Sequence, residues 1–183
     1  MLYTGKGDKG DTSIFGCDQR FSKSSAVAEA LGTLDEVNSF LGVCKTKSES
    51  ANISIKGNSL ADIFDKIQRN LFIVQAEVAS VKKTIEEDKV KQVEVVIDAI
   101  EKELPPIKSF FISGGTELAA SVDFARTLAR RAERRVVAVS EEGIVGVGEF
   151  TLAYLNRLSS LLYALARFVN FKSGIEEKSP TYK

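Results

Sequence analysis

Apolar residues recur at three- and four-residue intervals along most of this 183-residue chain, which is the spacing of an α-helix with one buried face. The only prolines, Pro105, Pro106 and Pro180, lie outside the periodic segments, so none of them interrupts a helix. The spacing predicts five helices, over residues 24–45, 59–83, 86–104, 116–140 and 151–172. Because short links join the helices, we predict an all-α fold, an antiparallel five-helix bundle.

A chain of this length fits one ordinary domain. We therefore expect a single helical-bundle domain over residues 1–183. It would comprise a glycine-rich N-terminal loop at 1–23, the bundle at 24–173 and a C-terminal tail at 174–183. Four of the thirteen glycines fall in the first sixteen positions, which is typical of a loop or a frayed end.

The composition excludes several classes of function. The chain has no histidine, which removes Ser-His and Cys-His nucleophile pairs and histidine-rich metal sites. Its 25 basic and 25 acidic residues balance, so no basic field favours nucleic acid or an anionic membrane as a partner. Two cysteines, Cys17 and Cys44, cannot build a disulfide framework. With no signal peptide, presequence or membrane-length apolar run, we expect a cytoplasmic protein.

The glycine-rich start reads Gly-Lys-Gly-Asp-Lys-Gly over residues 5–10. It matches G-x-G-x-x-G, but a dinucleotide-binding motif follows a β-strand, and only four residues precede this one. Permissive glycines, two lysines and the hydroxyls of Thr12 and Ser13 can instead surround a polyphosphate with donors. On this segment alone, a solvated N-terminal tail is the favoured alternative.

Residues 126–135 read Arg-Thr-Leu-Ala-Arg-Arg-Ala-Glu-Arg-Arg, with five arginines and one glutamate. On a helix these charges fall on two edges of a buried stripe. One edge holds Arg126, Arg130, Glu133 and, at its border, Arg134, and the other holds Arg131 and Arg135. Because arginine binds phosphate in a bidentate manner that lysine does not, this helix predicts an anion site. A solvated charged face is the alternative.

Two other predicted helices carry polar groups whose role the spacing leaves open. The last helix aligns Asn156, Ser160, Tyr163, Arg167 and Asn170 on one stripe. This stripe fits a solvated face and a ribose- or amide-binding surface equally well. In the first helix, Asp35 shares its face with small residues, and it needs a cationic partner if that face is buried. An exposed aspartate is the alternative.

Four segments, taken together, carry a family resemblance. They are Tyr-Thr-Gly-Lys-Gly-Asp-Lys-Gly with Thr-Ser (3–13), Leu-Gly-Thr-Leu-Asp-Glu-Val-Asn (31–38), Ser-Gly-Gly with the arginine block (113–135) and Tyr-Leu-Asn-Arg-Leu-Ser (154–159). In this order they resemble the PduO-type ATP:cob(I)alamin adenosyltransferases over nearly the full chain. The arginine block is the most specific of the four.

The resemblance implies a five-helix bundle that assembles as a homotrimer with active sites between subunits. It implies that ATP gives its 5′-deoxyadenosyl group to cob(I)alamin, yielding adenosylcobalamin and triphosphate, with Mg²⁺ expected beside ATP. Cob(I)alamin is itself a strong nucleophile, so a histidine-free protein needs only to align C5′ and stabilise the departing triphosphate. A flavin-type reductase and a cobalamin-dependent enzyme are further candidate partners.

The resemblance also assigns site residues. ATP-binding residues would be Thr4, Gly5, Lys6, Gly7, Thr12, Ser13, Lys23, Arg130, Arg131, Ala132, Glu133, Arg134 and Asn156. Of these, Arg130, Glu133 and Asn156 are the predicted catalytic residues, and no metal ligand is assigned. Asp35 and Arg126 match a pair that bridges subunits, and Phe110 aligns with an aromatic residue beside the corrin ring.

The chain departs from the family pattern at three positions. Ser113 stands where the family often has proline, Asp123 where it often has histidine, and Ser160 where aspartate is common. These departures bear on the corrinoid pocket rather than on ATP. Residues 109–112, Ser-Phe-Phe-Ile, also fit a plug over the end of the bundle. A non-catalytic module for a phosphorylated ligand and a purely structural trimer remain the alternative functions.

Overall fold

Five helices form where the apolar spacing predicts them. In the computed structural model, which describes residues 2–13 and 20–182, they are α1 (Ala26–Ser48), α2 (Leu60–Val78), α3 (Glu87–Glu101), α4 (Glu117–Glu141) and α5 (Glu149–Lys172). Side-chain oxygens of Ser25, Ser59 and Thr116 accept backbone N–H groups in the first turns of α1, α2 and α4. Thr116 therefore caps α4 at the residue where the spacing predicts that the helix begins. Cys17 lies outside the described residues.

One helix end differs clearly from its prediction. α2 stops at Val78, whereas the apolar spacing continues to residue 83. Ser80 adopts a positive φ of 60°, and the N–H of Val81 bonds back to the Ala76 carbonyl oxygen at 2.8 Å. This geometry ends a helix at its last turn. It does not depend on apolar spacing, so the spacing could not predict where α2 ends.

Two short hairpins were not predicted, so the all-α assignment is corrected to a mostly helical fold with two small sheets. β1 (Asp11–Ser13) pairs with β2 (Arg20–Ser22), and β3 (Ser54–Ile55) pairs with β4 (Asn58–Ser59), both antiparallel. Strands of two or three residues are too short to show an alternating pattern. The first hairpin shapes part of the glycine-rich segment that sequence reasoning treated as a loop.

Contacts between side chains give the order and direction of the helices. α1 packs between α2 and α4, and α5 packs between α4 and α3. Cross-helix pairs run from Lys47 with Glu117 to Glu29 with Arg135, so α1 and α4 are antiparallel. Similar pairs make α1 antiparallel to α2 and α4 antiparallel to α5, whereas α3 runs parallel to α5. The directions therefore alternate along the chain, as the predicted bundle requires.

The apolar faces of all five helices meet in one hydrophobic core. Its largest fully buried side chains include Leu34, Phe64, Leu71, Tyr154 and Phe168. This packing leaves the polar edges of α1, α4 and α5 at the surface, where the predicted site residues lie. In the described part of the chain, no helix combines the length and apolar character needed to cross a membrane.

Candidate functional site

The five arginines of α4 differ in whether a carboxylate pairs with them. Arg126 pairs with Asp123, Arg131 with Glu36 and Arg135 with Glu29. Among the residues that the structure describes, no acidic side chain forms a salt bridge with Arg130 or Arg134. These two guanidinium groups are therefore the ones that α4 leaves available for an anion.

Arg130 and Arg134 open into a pocket between α4 and α5, which we call the α4–α5 pocket. It has a volume of about 300 Å³, and Glu133 and Asn156 also line it. The Asn156 Nδ2 group donates to Glu133 Oε1 at 3.0 Å, which orients both side chains. The structure thus brings together the three predicted catalytic residues and Arg134.

A second pocket adjoins the first and shares Arg130 with it. This loop pocket has a volume of about 640 Å³ and is lined by Phe110, Arg126, Arg130, Ser160 and Tyr163, among others. Burial raises the pKa of Tyr163, so its phenol stays a neutral hydrogen-bonding group. Arg130 therefore lies at the junction of the two pockets, where it can contact a ligand in either of them.

The two phenylalanines of the loop between α3 and α4 take different positions. Phe110 is 81% exposed at the loop pocket, whereas Phe111 is half-buried and packs against the Arg167 guanidinium, 4.9 Å from its ring centre. A plug over the bundle end would bury its aromatic rings, and Phe110 is not buried. Its position suits contact with a ligand, whereas Phe111 points inward.

Two α4 residues of the predicted ATP set do not line the α4–α5 pocket. Ala132 is 1% exposed and packs in the core, so its side chain faces neither pocket. Arg131 lies on the other edge of α4, where its ion pair with Glu36 joins α4 to α1. In the single chain, the arginines of this edge hold α4 against α1, whereas Arg130 lies on the edge that faces the two pockets.

The polar stripe of α5 was compatible with a solvated face or with a ribose- or amide-binding surface. The structure gives its residues different roles. Asn170 Nδ2 donates to the Gly114 carbonyl oxygen at 2.8 Å, and its Oδ1 accepts from Thr116 N–H at 3.0 Å. Gly115 has a φ of 98°, and a Cβ there would collide with the Asn170 amide. Asn170 therefore anchors the Ser-Gly-Gly turn and is not free to bind a ribose.

Arg167 likewise has a structural role, because it holds the C-terminal tail against the loop. Its side chain is 7% exposed and donates to both carboxylate oxygens of Glu177, each at 2.7 Å. It also donates to the Pro105 carbonyl oxygen at 3.2 Å. The tail adds a hydrogen bond from Ile112 N–H to the Lys178 carbonyl oxygen at 2.8 Å. Arg167 and the C-terminal tail thereby hold the loop that carries Phe110 in place.

We expect Glu177→Gln to lower the free energy of unfolding by about 3 kcal/mol, because it leaves the Arg167 charge buried without its partner. Urea denaturation at a fixed protein concentration measures the change. Glu176→Gln, at the exposed neighbouring position, is the matched control and should unfold as the wild type does. Equal stability of the two variants would show that the pair contributes nothing to holding the tail.

The remaining predicted residues lie on another side of the molecule, in or beside what we call the N-terminal groove. This groove has a volume of about 730 Å³ between the first hairpin, α1 and α2, and Thr12, Ser13, Lys23 and Asp35 line it. Lys23 Nζ donates to the Gly7 carbonyl oxygen at 2.9 Å and so folds the glycine-rich turn against the groove. Asp35 is exposed there.

A hydrogen bond between side chains also fixes the strand that leads into this groove. Arg20 Nε donates to Asp11 Oδ2 at 2.6 Å, and its terminal nitrogen donates to the Lys6 carbonyl oxygen at 2.6 Å. The Arg20 hydrogen bond lowers the pKa of Asp11. Thr4 and Gly5 lie beside these groups in the turn, and the Thr4 hydroxyl accepts the Lys6 N–H at 3.4 Å.

Within one chain, the predicted site residues therefore form two separate groups. Asp35 belongs to the N-terminal groove on the α2 side of α1, and Arg126 belongs to the loop pocket between α4 and α5. Arg126 instead pairs with Asp123, three residues earlier on α4, at 2.7 Å. The Asp123–Arg126 spacing was a signal that sequence reasoning missed, since charges three residues apart meet on a helix.

Comparisons with known proteins identify the family of this chain. The cobalamin adenosyltransferase family model matches residues 2–169. The corrinoid adenosyltransferase of Bacillus subtilis (strain 168) is 41% identical over 180 residues, which cover 95% of this chain and 89% of that protein. The corrinoid adenosyltransferase PduO of Citrobacter freundii is 39% identical over 173 residues, which cover 91% of this chain and 49% of that protein. The chain thus spans about half the length of that relative.

A solved structure shares the whole fold. A variant of the PduO-type ATP:corrinoid adenosyltransferase from Lactobacillus reuteri, complexed with cobalamin and ATP, superposes with a TM-score of 0.87, 30% identity and complete coverage of both chains. The fold is thus of the PduO type. The chain belongs to the cobalamin adenosyltransferase family.

Proposed function

We propose that this chain transfers the 5′-deoxyadenosyl group of ATP to cob(I)alamin, forming adenosylcobalamin and triphosphate. The observation that carries the proposal is the position of Arg130, which lines both the α4–α5 pocket and the loop pocket. A reaction that joins a nucleotide to a large corrinoid needs two adjoining pockets with a cation at their junction. The similar structure that holds both cobalamin and ATP supports this reading.

The chemistry requires no nucleophile from the protein. The electron pair of cobalt(I) forms the new bond to C5′ of ATP, the C5′–O bond breaks, and the triphosphate leaves with the electron pair of that C5′–O bond. The protein has to align the two substrates and stabilise the charge on the leaving group. Arg130 and Arg134 supply positive charge, while the hydrogen bond between Asn156 and Glu133 orients groups for the nucleoside.

Magnesium would come with the nucleotide. The residues that the structure describes hold no cluster of three or more His, Cys, Asp or Glu side chains that could bind a metal ion. Mg²⁺ commonly uses one or two carboxylates together with substrate phosphates and water. We therefore propose that the triphosphate supplies most ligands of Mg²⁺, and that Glu133 orients the arginines or the metal.

Phe110 would act on the corrinoid. An exposed phenylalanine beside the lower face of the ring would exclude water and the corrinoid's own base from cobalt. Cobalt(II) without an axial ligand accepts an electron more readily, which favours formation of the nucleophile. The electron would come from a flavin-type reductase, and we propose a reducing cytoplasmic setting for this step.

We further propose a homotrimer in which each active site lies between two subunits. The N-terminal groove of one subunit would supply Thr12, Ser13 and Lys23 to the triphosphate, and α4 of the next would supply Arg130 and Arg134. The separation of these groups within one chain supports the proposal. Asp35 of one subunit would then pair with Arg126 of the partner subunit.

Mixing two inactive variants tests the shared site. Lys23→Ala removes a contact on one half and Arg130→Ala on the other, so each variant alone should be nearly inactive. Random trimers of equal amounts should recover about a quarter of wild-type activity, because that share of sites draws an intact half from each chain. The measurement is adenosylcobalamin formation after the subunits are dissociated together and reassembled.

A matched mixture controls for this result. Arg130→Ala and Glu133→Ala lie on the same half of the site, so their mixture should recover no activity. If the mixture of Lys23→Ala and Arg130→Ala also stays inactive after reassembly into trimers, each chain builds its own site and the shared-site proposal is wrong.

The reaction itself is tested with ATP, chemically reduced cobalamin and the purified protein. Appearance of the adenosylcobalamin spectrum is the expected result. An ATP-dependent rise in melting temperature without that product would indicate a non-catalytic binding module, since any ligand that binds the folded state stabilises it. Neither a rise nor a product would indicate a purely structural assembly.

A further inference from the structure

Asp123 and Arg126 lie one turn apart on α4 and form an ion pair at the loop pocket. Arg126 Nε donates to Asp123 Oδ1 at 2.7 Å, and the two side chains are 26% and 15% exposed. Among the described residues, no group accepts a hydrogen bond from the terminal nitrogens of Arg126. Asp123 therefore fixes one edge of the guanidinium group and leaves the other edge available.

On its other side, the Asp123 carboxylate faces the loop between α3 and α4, and Ser113 of that loop lines the same pocket. Burial disfavours the charged carboxylate, but hydrogen bonding from Arg126 and Ser113 outweighs it, so the pKa of Asp123 lies below its ordinary value. Ser113 and Asp123 also line the same two cavities, one of about 280 Å³ under the loop and the loop pocket itself. The carboxylate is thus ionised and held between two elements.

This contact links two features that the proposed function treats separately. Ser113 lies three residues after Phe110 in the same loop, and Phe110 and Arg126 both line the loop pocket. A single carboxylate therefore pairs with the arginine and lies in the same pocket as the loop that presents the phenylalanine. Ser113 and Asp123 are also two of the three positions at which this sequence departs from its family pattern.

We propose that Asp123 is a positioning residue of the corrinoid site, which sets the orientation of Arg126 and the position of the Phe110 loop together. The Nε edge of Arg126 is held, so its terminal nitrogens are presented to a carboxylate of the partner subunit, for which Asp35 is the candidate. Through Ser113, the same group keeps Phe110 at the corrinoid. This inference rests on the proposed function.

The expected effect is selective for the corrinoid. Asn at position 123 keeps the shape but loses the charge that holds an arginine firmly. Arg126 would then turn away, and the loop would lose one of its contacts. Asp123 does not line the α4–α5 pocket, so binding of ATP should be little affected.

The test compares Asp123→Asn with Ser113→Ala, which acts on the exposed loop and does not remove a buried charge. Asp123→Asn should raise the KM for cobalamin about tenfold, the equivalent of one charge-assisted hydrogen bond, with the KM for ATP near the wild-type value. Both variants should lower the fraction of four-coordinate cobalt(II) in the paramagnetic resonance spectrum with ATP bound. Ser113→Thr keeps the hydroxyl, so its fraction of four-coordinate cobalt(II) should match that of the wild type.

Asp65→Asn is the control, because Asp65 is a helical aspartate that pairs with Arg69 and with Lys45 of α1, each at 2.6 Å, outside these pockets. It should leave both KM values and the cobalt spectrum unchanged. Normal cobalamin KM and cobalt spectra in Asp123→Asn, with an active wild type, would overturn this inference alone. Equal loss of ATP and cobalamin binding in both variants would show a general folding role and also overturn it. A wild type that forms no adenosylcobalamin would overturn the proposed function and this inference together.

Discussion

Replacing Arg130 with alanine is expected to lower kcat for adenosylcobalamin formation by about 10²–10³-fold, the usual loss when one charge-stabilising contact is removed. Arg130 lies where the two pockets meet, and none of the described acidic side chains forms a salt bridge with it. Its guanidinium group is therefore placed to stabilise the charge that develops on the triphosphate. Steady-state kinetics with saturating ATP and reduced cobalamin would measure the loss.

Two further variants make this result specific. Arg130→Lys keeps the charge but loses the bidentate geometry, so it should recover only part of the rate. Arg135→Ala removes an arginine of the same helix that pairs with Glu29 on the other edge, and it should turn over nearly as the wild type does. Near-normal turnover in both Arg130→Ala and Asn156→Ala would show that the active site lies elsewhere.

Replacing Phe110 with alanine is expected to lower the yield of four-coordinate cobalt(II) and the rate of the coupled reaction about 10–100-fold. This range corresponds to the loss of one apolar side chain from contact with a ligand. The affinity for ATP should stay close to that of the wild type, because Phe110 does not line the α4–α5 pocket. Paramagnetic resonance of bound cobalt(II) and calorimetric titration of ATP measure the two effects.

The alternative role of Phe110, packing over the end of the bundle, can be tested because the side chain is exposed. At 81% exposed, its side chain contributes little to the core, so Phe110→Ala should melt at the wild-type temperature. Phe150→Ala removes a less exposed phenylalanine that lies outside both pockets and should leave the cobalt spectrum unchanged. A lower melting temperature with a normal cobalt spectrum would assign Phe110 to packing.

Sequence reasoning succeeded where the determining interactions are local. The number of helices and their approximate bounds follow from apolar spacing, because neighbours on a helical face are three or four residues apart. The Thr116 cap follows from a side chain that bonds within its own turn. The strand pairs β1–β2 and β3–β4 were not predicted, because strands of two or three residues are too short to show a period.

The stripe of α5 shows where local reasoning stops. Asn156, Arg167 and Asn170 lie on one face of the helix, and their spacing gives no reason to separate them. The tertiary structure does so, because Asn170 meets the Gly114 turn, Arg167 meets Glu177 of the tail, and Asn156 alone of the three lines the α4–α5 pocket. The role of each residue is set by its contacts with residues outside α5, which the spacing along the helix cannot reveal.

The sequence by itself determined that α4 carries an arginine-rich edge suited to an anion, because helical geometry sets which side chains share an edge. Only the tertiary structure decided which of those arginines remain unpaired. Glu36, which pairs with Arg131, lies 95 positions away on α1, and no pattern along one helix reveals such a partner. The packing of α1 against α4 neutralises one edge and leaves Arg130 and Arg134 open to a ligand on the other.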